Sequence, residues 1–281
     1  MLPAPAPRDR FVTVGGLRLR YRDWGGPGAP FLALHGAAAH AHWWDPVAPL
    51  LAPRLRVLAL DWRGHGRSAW PRPPAYRSQD FAADLVGVIE RLGLVAPIVA
   101  GHSMGGHAAL AFAAWHPAQL SRLVVLDARP HVNRERLRAL RRRPARAPTE
   151  FPTLAAALAR FRLRPGETTA PPARIREIGR RGLVRLASGG WRYRFDPECE
   201  RRRVPIDAWA LLPRIRVPTL VVRGEHSTIL SREVARRMVK AIPRATLVEL
   251  RGAHHHVTLD APVALADCLL AWLARTSDPP G

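Results

Sequence analysis

Short apolar runs separated by turn residues fill the first half of the chain, at residues 11–14, 17–23, 31–34, 57–60, 98–100 and 123–126, and they read as β-strands. Between them lie stretches with helical spacing. The clearest is Phe81, Leu85, Val88, Ile89 and Leu92, whose intervals of three and four put one apolar stripe on an otherwise polar helix. Residues 108–115 are apolar nearly all round, which suits a buried helix that Pro117 stops. Strands covered on both faces and alternating with helices predict a mainly parallel sheet flanked by helices. The pattern resumes after residue 217, with strands at 219–222 and 246–250 and helices at 231–242 and 263–273.

One α/β core, interrupted in the middle, fits this pattern: residues 1–127 and 213–281 form the core, and residues 128–212 form an inserted unit. Counted out to residue 216, the interruption holds 23 arginines against 8 acidic residues, most of the chain's net charge of +22. Leu154, Leu158 and Phe161 share a helical face, as do Ile175, Ile178 and Leu186, so the insertion reads as a small helical cap. Trp191, Tyr193 and Phe195 alternate with Arg192 and Arg194 at strand spacing.

The charge invites a nucleic-acid or anionic-membrane reading. Lys240 is the single lysine among 44 basic residues, and 28 prolines accompany the arginines. That composition follows nucleotide bias and says little about partners. Cys199 and Cys268 lie in no metal-ligand or disulfide spacing. No apolar run reaches the roughly 18 residues of a membrane span, and residues 1–8 lack a signal-peptide core. The expectation is a cytoplasmic protein.

The sharpest chemical signal is Gly101-His102-Ser103-Met104-Gly105, a GxSxG string. An apolar strand precedes it and a small-residue helix follows, the strand-turn-helix setting of a nucleophile elbow. The glycines suit a strained turn where side chains at 101 and 105 would collide with neighbouring elements.

With these residues the chain resembles the α/β-hydrolase superfamily over residues 11–127 and 213–275. His35-Gly36 closes a strand where this family places its oxyanion loop, and Asp61-Trp62-Arg63-Gly64-His65-Gly66-Arg67-Ser68 looks like the family's DxRGxGxS loop. The resemblance implies an oxyanion hole from the Ala37 and Met104 amides. It aligns Leu259, Asp260 and Pro262 with the loop before the last helix, which puts His255 on the catalytic position and leaves His254 and His256 as neighbours. A metal held by three adjacent histidines is disfavoured, because successive side chains of an extended loop point apart. The family's usual acid is missing: its loop here reads Gly224-Glu225-His226-Ser227-Thr228. Asp127 is the replacement, at a strand end where haloalkane dehalogenases carry theirs, with Glu225 in reserve. The order Ser103, Asp127, His255 keeps that of the superfamily.

The expectation is therefore an α/β-hydrolase fold with an inserted helical cap, using no cofactor and no metal. Its function would be that of a serine hydrolase acting through an acyl-enzyme on a small, largely apolar ester-like molecule. Serine in the elbow argues against the carboxylate nucleophile of dehalogenases and epoxide hydrolases. Substrate contacts are expected from His35, Trp43 and Trp44, with His40 and His42 beside them, in an apolar pocket roofed by the cap. Competing readings are a hydrolase-fold sensor with little turnover, a carbon-carbon bond hydrolase, a cofactor-free perhydrolase, and a nucleic-acid binder stacking bases on Trp191, Tyr193 and Phe195.

Overall fold

A computed structural model describes residues 6–132, 134–142, 144 and 147–276. Its strands are β1 (Arg8–Val14), β2 (Leu17–Gly25), β3 (Pro30–Leu34), β4 (Arg56–Leu60), β5 (Ile98–His102), β6 (Arg122–Leu126), β7 (Glu150–Phe151), β8 (Leu183–Arg185), β9 (Trp191–Tyr193), β10 (Thr219–Gly224) and β11 (Ala245–Leu250). Its helices are α1 (Ala48–Leu51), α2 (Ser78–Arg91), α3 (Met104–Trp115), α4 (Arg134–Arg142), α5 (Leu154–Arg160), α6 (Pro172–Arg181), α7 (Pro197–Arg202), α8 (Arg232–Ala241), α9 (Val257–Asp260) and α10 (Pro262–Arg275).

Eight strands form one sheet in the order β1-β2-β4-β3-β5-β6-β10-β11, parallel from β4 to β11 and antiparallel at the β1 and β2 edge. The continuous apolar runs sit where two buried faces demand them. Alternate residues divide between two cores: Leu32, Leu34, Val99, Val125 and Val221 pack with α2, α3 and α8 on one face. Phe31, Ala33, Ala100, Val124 and Leu220 pack with α1 and α10 on the other. The amphipathic α2 buries Phe81, Leu85, Val88 and Ile89, as its spacing requires. In α3 everything from Met104 to Ala113 is buried, which accounts for its lack of a polar face.

From β3 the chain moves to β4 on one side and then to β5 on the other. This reversal opens a crevice at the carboxyl ends of β3 and β5, the place where open α/β sheets bind ligands. The loops that leave β3, β5, β6 and β10 meet there.

The segment between β6 and β10 is not purely helical. It holds α4 to α7 together with a three-stranded sheet in the order β7-β9-β8, and Trp191 pairs with Phe151 and Arg185 within it. Leu186 lies beyond β8, outside the helix that carries Ile175 and Ile178. Phe161, Leu163, Ala170 and Ile178 of this segment pack on Ala39, Trp43 and Leu259 of the core. Asp196 accepts hydrogen bonds from Tyr76 and Arg72, each at 2.7 Å, and ties the far side down as well.

Candidate active site

Between β5 and α3 the chain must turn sharply, and Ser103 sits at the turn with φ of +53°, a conformation uncommon for a residue with a side chain. The flanking glycines are required by close approach. A Cβ on Gly101 would lie 2.3 Å from the Gly105 carbonyl oxygen, and one on Gly105 would lie 2.7 Å from the carbonyl oxygens of Leu34 and His35. The turn thus presses α3 against the end of β3 and leaves the Ser103 hydroxyl facing the crevice.

The loop between β11 and α9 brings His255 to that hydroxyl. Ser103 Oγ lies 3.1 Å from His255 Nε2, and His255 Nδ1 lies 2.9 Å from Asp127 Oδ1. The tautomer consistent with both contacts has Nδ1–H donating to Asp127 and Nε2 accepting from the serine. Burial lowers the His255 pKa to about 3, and the charges on His256 and Arg129 add to the effect, so the resting imidazole is neutral.

Asp127 follows β6 with φ of +44° and is completely buried. Burial raises its pKa to about 6, against the pull of two donors: the Ser227 hydroxyl at 2.5 Å and the Gly224 amide at 2.8 Å. Ser227, in the loop after β10, therefore helps to hold the Asp127 carboxylate. Glu225 accepts instead from the Gly252 amide at 2.8 Å, and its carboxylate lies 3.8 Å from the His226 ring. The hydrogen-bonded row runs through Asp127, not Glu225.

The Ala37 and Met104 residues border the same cavity. Met104 is the first residue of α3, so its amide has no intrahelical acceptor and lies at the positive end of the helix. Asp61 fixes the approach to Ala37: its carboxylate accepts from the Ala41 amide at 2.6 Å and the Arg67 amide at 2.9 Å while paired with buried Arg20. A Cβ on Gly66 would sit 2.2 Å from that carboxylate, which is why the DxRGxGxS pattern needs a glycine there.

Three side chains expected in the pocket are elsewhere. His35 is wholly buried, with Nδ1 donating to the Gly36 carbonyl and Nε2 accepting from the Trp62 amide, so it pins the loop rather than meeting a ligand. Trp44 packs edge-on against Phe31 inside the core. His42 is engaged by Asp45 and Arg20. Trp43 and His40 do line the cavity. Tyr193 and Phe195 also face it, with the Tyr193 hydroxyl donating to the Ala157 carbonyl, so these two rings of the proposed base-stacking strip are turned inward.

Of the histidines after β11, His254 turns away, its amide donating to Asp260 and its ring against His226. His256 faces the cavity and donates from Nε2 to the Pro165 carbonyl. One nitrogen from each of His102, His255 and His256 lies within 4.8 Å of the others, a set able to hold a divalent cation. A cation there would take the His255 lone pair that Ser103 uses.

The cavity measures about 670 Å³ and is not uniformly apolar. Trp43, Met104, Phe161, Leu163 and Ile229 share its wall with Arg129, Arg160, Arg162, Arg164, Arg194 and Arg203. Sequence reasoning missed these arginines as wall residues, although Arg129, two residues past Asp127 at a strand end, was placed to be one.

The chain matches the alpha/beta hydrolase family over residues 31–268. It is 30% identical to the 2-(acetamidomethylene)succinate hydrolase of Mesorhizobium japonicum, over 90% of this chain and 91% of that protein. It is also 30% identical to an esterase of Mycobacterium tuberculosis, over 94% of this chain and 88% of that one. Among solved structures, an E-2-(acetamidomethylene)succinate hydrolase superposes with a TM-score of 0.83 at 26% identity, covering 96% of this chain and all (100%) of that one. The thioesterase domain from the curacin biosynthetic pathway gives 0.80 at 26% identity, covering 95% of this chain and 100% of that one.

Proposed function

Because the chain belongs to the alpha/beta hydrolase family, we propose that it is a serine hydrolase that cleaves an ester-type acyl bond through an acyl-enzyme. The observation that carries this reading is the unbroken row from Asp127 through His255 to the Ser103 hydroxyl at the wall of a cavity, with contacts of 2.9 and 3.1 Å. A serine hydroxyl attacks poorly until a base takes its proton, and a neutral imidazole held by a carboxylate is such a base.

In this mechanism Ser103 Oγ attacks the substrate carbonyl while its proton passes to His255 Nε2. The imidazolium that forms is stabilised by Asp127, which keeps its charge through the bonds from Ser227 and Gly224. The carbonyl oxygen becomes negative and accepts from the Ala37 and Met104 amides. His255 then returns the proton to the departing alkoxide, leaving the acyl group on Ser103. A water molecule, deprotonated by the same imidazole, releases the acid. We assign the segment 128–212 the role of cap, since its Phe161, Tyr193 and Arg194 line the cavity that Ser103 also lines.

Fluorophosphonate labelling, read by intact mass and peptide mapping, tests the proposal. One adduct on Ser103 in the wild type and none in Ser103→Ala is the expected result. Folded wild-type protein that takes no label between pH 7 and 9 sinks the reading and favours a ligand-binding role for the site.

A further inference from the structure

The buried arginines among the described residues, Arg20, Arg63 and Arg223, are matched with carboxylates. Arg20 bonds to Asp61 and Asp9, Arg63 pairs with Asp84 through two nitrogens, and Arg223 pairs with Glu249. That is the expected arrangement, because a charge removed from water needs a counter-charge or it destabilises the fold.

Two arginines of the cavity wall differ. Arg129 and Arg194 are half-buried, and neither has an ion-pair partner among the described residues. Arg194 spends its Nε on the Leu183 carbonyl, and burial together with repulsion from Arg67, Arg20 and Arg192 lowers its pKa. Asp61 is within electrostatic range of Arg194 but is committed to Arg20 and to two amides. Arg203 also lines the wall, and Arg160, Arg162 and Arg164 stand exposed around it. Glu200 is the single acidic residue in the lining among the described residues.

The position of Arg129 sharpens the point. It lines the same cavity as His255, and its charge opposes protonation of the imidazole. An unneutralised cation there works against the imidazolium that acyl transfer must form, so it impairs catalysis unless something negative sits beside it. Among the described residues no carboxylate forms an ion pair with Arg129. Nucleotide bias explains why arginine is abundant. It does not explain why Arg20, Arg63 and Arg223 have carboxylate partners while Arg129 and Arg194, which line the nucleophile's cavity, have none among the described residues.

We propose that the substrate supplies the missing charge: the cavity takes an ester or thioester whose acyl part carries a carboxylate, which binds against Arg129 and Arg194 while the acyl carbonyl meets Ser103. Arginine suits the task, as its planar fork matches a carboxylate and it stays charged when partly desolvated. The exposed arginines add a positive field that draws an anion inward. The inference rests on the serine-hydrolase reading and replaces the expectation of a largely apolar substrate.

Two matched probes test it, mono-p-nitrophenyl succinate and p-nitrophenyl butyrate, which have acyl chains of similar length and differ in the terminal carboxylate. Rates are corrected for spontaneous hydrolysis with Ser103→Ala. A charge-assisted contact predicts a kcat/KM for the succinate ester at least about ten-fold above that of the butyrate at low ionic strength. The preference shrinks several-fold in Arg129→Gln, in Arg194→Gln, and in wild type at 0.5 M salt, which needs no variant to fold. Free succinate, but not butyramide, slows fluorophosphonate labelling of Ser103. Equal or inverted preference, or labelling indifferent to succinate, overturns the inference. Labelling without any added acid reports on the underlying hydrolase reading separately, so the two failures are distinguishable.

Discussion

Acid should unfold this protein well above the ordinary carboxylate range, because of histidines. His35, His40, His65, His102 and His107 are each at most 5% exposed. Each donates one ring N–H to a backbone carbonyl: Gly36, Ile178, Arg63, His255 and Arg129 respectively. Protonation would add a second N–H, and the remaining nitrogens of His40 and His102 have no partner among the described residues to receive it. Burial lowers the pKa to about 3 for His35, His40 and His65, to about 4 for His107, and well below 6.5 for His102. The unfolded chain therefore binds more protons than the native one once the pH drops below 6.5, and the stability present above that value is lost progressively. His35, His40, His65, His107 and the candidate active-site His255, all lowered to about 3 or 4, each forfeit about 2 kcal/mol at pH 5 relative to neutral pH, so these five forfeit about 10 kcal/mol. Asp127, whose carboxyl is raised to about 6, offsets only about 1 kcal/mol of this. The net loss is comparable to the whole stability of a typical domain, about 5 to 15 kcal/mol. Urea unfolding followed by tryptophan fluorescence should show stability falling by about 3 kcal/mol from pH 7 to 6 and about 6 kcal/mol from pH 6 to 5. A stability that stays level from pH 8 to pH 5 refutes the reasoning, and would mean that the five imidazoles reach water or an acceptor on protonation.

Asp127→Asn should lower esterase turnover by about 10²- to 10⁴-fold with near-native circular dichroism, because asparagine cannot stabilise the imidazolium. Glu225→Gln should change it less than about two-fold, since that residue holds the Gly252 amide; the reverse ranking in a p-nitrophenyl ester assay would move the acid to Glu225. Gly105→Ala should force α3 away from β3, costing about 1 to 3 kcal/mol and several degrees of melting temperature, and an unchanged melt would show that the elbow tolerates a Cβ.

The strands and helices of the core were legible because periodicity is a local property. A run such as Phe31 to Leu34 or a stripe such as Phe81, Leu85 and Val88 carries its burial pattern within a few residues. The elbow was legible for the same reason: the glycines at 101 and 105 answer to contacts that any sharp strand-to-helix turn creates. The insertion was read less well. Its helices α5 and α6 follow their apolar spacing, but a sheet of strands two and three residues long leaves almost no period to detect.

What the sequence by itself determined was the order of elements, the strained serine, and a short list of histidines and acids that could serve it. Which members of that list meet was decided by contacts across long stretches of chain. Asp127 is held by residues 97 and 100 positions away, and His35 is turned from the cavity by a residue 27 positions on. Backbone periodicity is set by neighbours in sequence, whereas the direction of a loop side chain is set by whichever partner the folded sheet brings beside it. The same holds for charge: the sequence counted the arginines, and only the tertiary structure sorted Arg20, Arg63 and Arg223, which have carboxylate partners, from Arg129 and Arg194, which line the cavity with none among the described residues.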